Sequence, residues 1–270
     1  MKKLITCLVF LIVLVYSGNE ISAGPSYQML VHGRDNCVFL DTSVAARRWL
    51  PQGTYLFTAS GTAYYEPGSP FRNLLFRHRS SANHDSTRIL EIGHSVTVRQ
   101  GIEYYCYAML IDWSDTTNNS GAITLDISGN PLTINARANC ITLNSSPAVM
   151  DTLPPGEYRV DFSGNAGFPD AFTEIVIHYK GINGDVTDVV EKGTPKQITL
   201  RSGSPNISAF FLDWAFLVDN VGVGVVTLTP ISENIPTLTE WGLIIFGVVL
   251  LGFITWVFLK KRRRVIGVRV

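Results

Sequence analysis

The chain repeats itself at an offset of 101 to 103 residues, and this limits its fold more than any other feature. Asn36-Cys37 recurs as Asn139-Cys140, and LPQGTY (50–55) as LPPGEY (153–158). Ser60-Gly61 recurs as Ser163-Gly164, VTVRQG (96–101) as ITLRSG (198–203), and LIDW (110–113) as FLDW (211–214). A constant spacing between like segments marks one structural unit present twice. The roughly 210 residues between the two termini suit two units of about 100 residues. Each copy reads as β: short alternating runs rich in Thr, Val, Ile and Tyr, punctuated by Gly, Pro and Asn. No stretch before residue 241 holds a helical apolar period for three turns. The expected fold is all-β, two tandem duplicated antiparallel β-sandwiches of jelly-roll type over 24–130 and 131–232.

The two ends belong to a different class. Residues 1–23 open with Lys2 and Lys3, continue through an uncharged apolar run and close on Ile21-Ser22-Ala23. That order predicts a secretory signal peptide removed by signal peptidase. The apolar stretch is short for a span of about 20 residues. Near the other end, Trp241 to Leu259 carries no charge and predicts a transmembrane helix over 241–259. The cations Lys260, Lys261, Arg262, Arg263 and Arg264 follow at once and are expected on the cytoplasmic side of the inner membrane. Everything between the ends is then exported.

Immediately before the apolar run stands IPTLTEWG, residues 235–242. Pro236 disfavours helix at Ile235, which predicts an extended motif just outside the bilayer. Motif, apolar helix and basic cluster together, over 235–264, resemble the IPTL-CTERM sorting signal of Gram-negative bacteria. Ile235, Pro236, Thr237, Leu238, Glu240, Trp241 and Gly242 carry the resemblance, with Thr239 where Ser is commoner. The resemblance implies an exosortase-type membrane protease as partner, removal of the helix, and delivery to the cell surface or exterior. It also associates such tails with polysaccharide-producing bacteria.

The formal net charge of zero conceals an uneven distribution. Fourteen of the 22 Lys and Arg, against 20 of the 22 Asp and Glu, fall in 24–234, which carries about −6. That argues against a nucleic-acid partner, which favours a basic face. Export permits disulfides. The expected bridge is Cys37–Cys106 within the first copy, leaving Cys140; Cys37–Cys140 across the copies and three buried thiols are the alternatives.

One loop invites chemistry. In LIDWSDTTNNSGAITLDI (110–127), Asp112, Thr116, Asn118 and Asn119 offer several oxygens between two strands, as hard cations require. The second copy keeps part of this, with Asp213, Asp219 and Asn220. The loop resembles the calcium loop of PA-IL-type bacterial galactose-binding lectins, in which an Asp, a Thr and two consecutive Asn hold the Ca²⁺ that binds the sugar. On that resemblance Tyr65, in TASGTAYY (58–65), supplies a backbone carbonyl. Ala215, Phe216, Leu217 and Val218 replace the polar residues in the second copy, so a sugar site is not expected there. Without a metal, Asn-Asn-Ser-Gly is also a good turn sequence.

His78, His84, Asp85 and His94 match no zinc spacing, and a solvated loop with Arg77 and Arg79 flanking His78 is expected. No nucleophile elbow, zincin motif or phosphate loop occurs. Tyr64, Tyr65, Tyr104, Tyr105 and Tyr107 are expected half in the core and half at the surface. The reading is a non-enzymatic exported protein with a structural or adhesive role. A calcium-dependent carbohydrate-binding module is the alternative, and a secreted hydrolase the second.

Overall fold

The computed structural model describes residues 26–32, 34–41, 43–82, 84–114, 116–168, 170–214, 220–231 and 246–256. The leader 1–23, the 235–242 motif, the basic cluster 260–264 and the loop acids Asp115 and Asp219 lie outside the described residues. The first copy contributes β1 (Tyr27–His32), β2 (Cys37–Phe39), β3 (Ala46–Leu50), β4 (Gly53–Glu66), β5 (Ser69–Pro70), β6 (Asn73–Ser81), β7 (His84–Glu91), β8 (Ser95–Gln100), β9 (Tyr104–Asp112) and β10 (Ser120–Ile127). The second contributes β11 (Asn130–Asn135), β12 (Cys140–Thr142), β13 (Val149–Asp151), β14 (Gly156–Gly164), β15 (Gly167–Phe168), β16 (Asp170–Ala171), β17 (Glu174–Gly181), β18 (Gly184–Glu191), β19 (Lys196–Leu200), β20 (Ile207–Asp213) and β21 (Val223–Pro230). The all-β expectation is met: among the described residues the chain is mostly strand, in several antiparallel sheets.

The sheets pair in a way the repeat does not announce. One sandwich faces β11-β10-β4-β5, with β8 on β4, against β12-β9-β6-β7, with β3 on β9. The other faces β1-β21-β14-β19 against β13-β20-β17-β18, with β2 on β20. Each copy therefore sends its first two strands into the other. β1 runs antiparallel to β21 from Tyr27↔Leu228 to His32↔Val223, and β2 lies parallel to β20. Reciprocally, β11 runs antiparallel to β10, and β12 lies parallel to β9 with Thr142 opposite Asp112. The expected division at 130/131 is thus corrected. The first sandwich occupies the contiguous stretch from β3 to β12, while the second combines β1 and β2 with β13 to β21.

Burial explains the layering. β9 is buried from Cys106 to Asp112 and β20 along its whole length, so the inner sheets are covered on both faces. Cys106, Ala108 and Leu110 point into the core of the first sandwich. Tyr107, Met109 and Ile111 point the other way, into a third cluster shared with Val176, Phe210, Leu212 and Trp214 of the second copy. Each such side chain stabilises by roughly 1.5–3 kcal/mol on burial. The outer strands β10 and β21 alternate buried and accessible positions, as strands with one wet face do. Gly61 and Gly164 explain the recurring Ser-Gly pair. Both adopt positive φ, +100° and +107°, and a Cβ would stand 2.7 Å from the Ala122 carbonyl oxygen or 2.3 Å from that of Val223.

Two further expectations change. Cys37, Cys106 and Cys140 are all buried free thiols. Cys37 belongs to the core of the second sandwich and Cys106 to that of the first, so the expected Cys37–Cys106 bridge is not made. Cys140 pairs with Leu110, four residues along β9 from Cys106, or about 13 Å at strand rise, beyond disulfide reach. Arg77 and His78 lie buried in β6, not in a solvated loop. The described residues 246–256 are helical, and among the described residues no helix is long and apolar enough to cross a membrane. The rest of the expected 241–259 span lies outside the described residues.

Candidate functional site

Asp112 ends β9 and Asn119 closes the loop that follows. Both are buried, at 4% and 1% exposure. Asp112 Oδ1 accepts the backbone N–H of Trp113 at 2.6 Å. The Asn119 N–H donates to the Thr116 carbonyl at 3.1 Å, and its Nδ2 donates to the Ala136 carbonyl at 3.1 Å. The two side chains stand together. Burial pushes the Asp112 carboxyl above its ordinary range, while the N–H groups of Trp113 and Ser114 and the Asn119 amide pull it back. Asp112 Oδ2 and Asn119 Oδ1 are buried with no hydrogen-bond partner.

The third member of this cluster comes from the exchanged strand. Cys140 of β12 lies beside both: burial, then the Asp112 charge, pushes its thiol up, and Asn119 opposes them. The second sandwich repeats the arrangement. Asp213 Oδ1 accepts the Trp214 N–H at 2.6 Å. Asp213 and Asn220 are 7% and 1% exposed. Burial and the Asp213 charge raise the Cys37 thiol, and Asn220 acts against them. Each sandwich therefore has an Asp and an Asn from one copy and a Cys from the first strands of the other. A thiol held protonated this way is a poor nucleophile and a poor metal ligand.

The other expected ligands scatter. Thr116 is half-buried and Asn118 is exposed. The Arg137 guanidinium donates to the Thr117 carbonyl at 2.7 Å, placing a fixed cation on the loop. Tyr64 pairs with Ser120, which puts the Tyr65 backbone one step further along β4. The Tyr65 ring meets Phe71 edge-on at 5.5 Å, and burial and the nearby Asp185 raise its hydroxyl. Asp112 and Asn119 fit two positions of a hard-cation shell, which takes six to eight oxygens. Among the described residues, no group of three or more His, Cys, Asp or Glu is placed to hold a metal.

A polar cluster between the sandwiches went unrecognised in the sequence. Arg77 donates to Glu174 of the second sandwich at 3.0 Å, to Asp85 at 3.2 Å and to Thr87 at 2.8 Å. Thr87 also donates to Glu174, and the Trp214 indole N–H donates to Asp85. The Arg77 and Arg79 guanidiniums lie 5.5 and 5.2 Å from the Trp214 ring centre. Reciprocally, Trp113 meets His178 at 4.8 Å and the Lys180 ammonium at 5.3 Å, and lies beside Asp185. The recurring Asp-Trp of LIDW and FLDW was the available signal: each Trp reaches the other copy's β6–β7 or β17–β18 hairpin. No family model, curated protein or solved structure matches this chain.

Proposed function

We propose that the chain is an exported bacterial protein of the cell surface or extracellular matrix, with a structural or adhesive, non-enzymatic role. In this reading the jelly-roll-like sandwiches arose by duplication, and the signal peptide and secretion machinery export them. The IPTL-CTERM-like tail holds the precursor in the inner membrane until an exosortase-type protease releases it. The order of motif, apolar run and basic cluster over 235–264 supports the sorting route. One observation carries the structural role. The second copy replaces Ser114, Asp115, Thr116 and Thr117 with the apolar Ala215 to Val218 and Asn118 with Asp219, yet retains Asp213 and Asn220 against Cys37. The pair survives where a calcium loop does not, which fits a clamp for the exchanged strand. The test expresses the full chain in a bacterium carrying an exosortase-type protease. The mature protein is expected outside the cell without its C-terminal helix, and a Pro236→Ala, Trp241→Ala double variant is expected to remain uncleaved in the inner membrane. Equal mass and location for both would overturn the sorting route.

The second reading, a calcium-dependent carbohydrate-binding module, is favoured by the partnerless Asp112 Oδ2 and Asn119 Oδ1. Those two residues would hold the cation, with backbone carbonyls and a hydroxyl completing its shell, and the cation would supply charge for sugar hydroxyls. Thermal unfolding of 24–231 with Ca²⁺ and with chelator decides it. Saturation a hundredfold above Kd adds about 2.7 kcal/mol, lost in Asp112→Ala. Identical midpoints in Ca²⁺ and chelator would remove this reading.

A further inference from the structure

We propose that the first sandwich carries a glycan-binding platform centred on Trp49, away from the 112–119 loop. It deepens the adhesive role proposed above and rests on it. Trp49 is 46% exposed, yet its indole is held in place. Its N–H donates to Glu103 Oε1 at 2.8 Å, and its edge meets the Tyr105 ring at 4.9 Å and 80°. The Arg47 guanidinium lies 5.0 Å from the centre of Tyr105, and Asp41 stands 4.0 Å from Arg47. An exposed indole usually has to be ordered by its ligand; this one is ordered beforehand, which lowers the cost of binding.

The second copy shows that the fold does not require these residues. There the matching strand pair is β13–β20, with Met150 opposite Ser208 where Arg47 faces Tyr107. Thr152 takes the place of Trp49 and Ser204 that of Glu103, and their hydroxyls bond at 3.1 Å. Asn206 takes the place of Tyr105 and is spent on the backbone, at 2.8 Å to the Leu153 carbonyl and 2.9 Å from the Leu153 N–H. The same framework thus stands without an aromatic in that position. Tyr107 and Met109 lie on the same face, beneath the second sandwich, and Tyr105 and Trp49 extend that stripe into solvent.

The chemistry selects the occupant. A pyranose presents a flat C–H face and a rim of hydroxyls that both donate and accept. A fixed ring face with carboxylates at Glu103 and Asp41 and a guanidinium at Arg47 answers both requirements. The carboxylates and the net charge of about −6 over 24–234 disfavour phosphate chains.

Residues 23–231 form a compact unit apart from the terminal segments, so the purified 24–231 unit serves for the test. It is run in native gels containing dextran, amylopectin, xylan or alginate, with sedimentation velocity in parallel. At least one polysaccharide is expected to retard it. Trp49→Thr, the residue the second copy carries, should weaken that retardation about tenfold or more, equivalent to 1.4 kcal/mol or more. Trp49→Phe should keep most of it, and Met150→Ala all of it. Passage through all four gels without retardation would overturn the proposal, as would equal retardation of Trp49→Thr. A dimer that Trp49→Thr converts to monomer would assign the face to a second copy instead. Export is tested in cells and binding in vitro, so either can fail alone.

Discussion

Arg77, 5% exposed, holds Asp85 within the first sandwich and Glu174 across the contact with the second. Removing one partner of a buried ion pair leaves the other charge uncompensated, at a cost of about 3–5 kcal/mol. Arg77→Met is therefore expected to lower the stability of 24–231 by that amount in urea unfolding, and Arg77→Met with Glu174→Leu to recover part of it. Two histidines set a pH dependence. Burial holds His178 down to about 3 and His78 to about 4. Unfolded histidine binds its proton near 6.5, so below that pH the unfolded chain takes up protons that the folded chain refuses. Stability should fall as pH drops from about 6.5 towards 4, by at most about 1.4 kcal/mol per unit for each histidine. Burial raises Glu174 and Asp185, and these act with the opposite sign, losing stability as pH rises through their folded values. Urea midpoints between pH 7 and 5 check the sign, and His178→Phe should flatten the slope.

At the scale of the element, strand exchange is the feature to test. Leu30 and Val225 face each other across β1 and β21. With both changed to Cys, 24–231 should form an intrachain bridge and migrate as a monomer on non-reducing gels; a failure to bridge would show that β1 is not seated on β21. Asn220→Ala removes a buried amide beside Cys37 whose Nδ2 and Oδ1 make no hydrogen bond, so it should destabilise by less than the about 1–3 kcal/mol of a broken buried hydrogen bond. The loss should be the same with calcium or chelator, because that loop has no polar residue left between Trp214 and Asp219.

The whole molecule divides where its sheets divide. Residues 43–147 contain every strand of the first sandwich, from β3 to β12, whereas 24–130 contain the two strands that belong to the other sandwich and lack β11 and β12. The 43–147 fragment is expected to show cooperative unfolding, and 24–130 to be unfolded or paired with a second copy. Circular dichroism melts and sedimentation of the two fragments check this, and a well-folded monomer of 24–130 would contradict the exchange.

The sequence alone determined that the chain is β, that it holds two related copies, and which residues recur. Periodicity and spacing are local properties, and the Ser-Gly and Asp-Trp pairs could be seen without knowing what they touch. Where β1 and β2 go is not local. β10 and β21 are equivalent strands with the same alternation, so either could accept β1 by pattern. The choice belongs to the packing of β9 and β20 back to back through Met109, Ile111, Phe210 and Leu212, which holds each copy's first strands against the other. The same contact turned Arg77 and His78 from an expected polar loop into buried groups, and left Trp49 as the exposed end of a buried stripe. Burial is decided by what arrives from a hundred residues away, and only the tertiary structure contains that information.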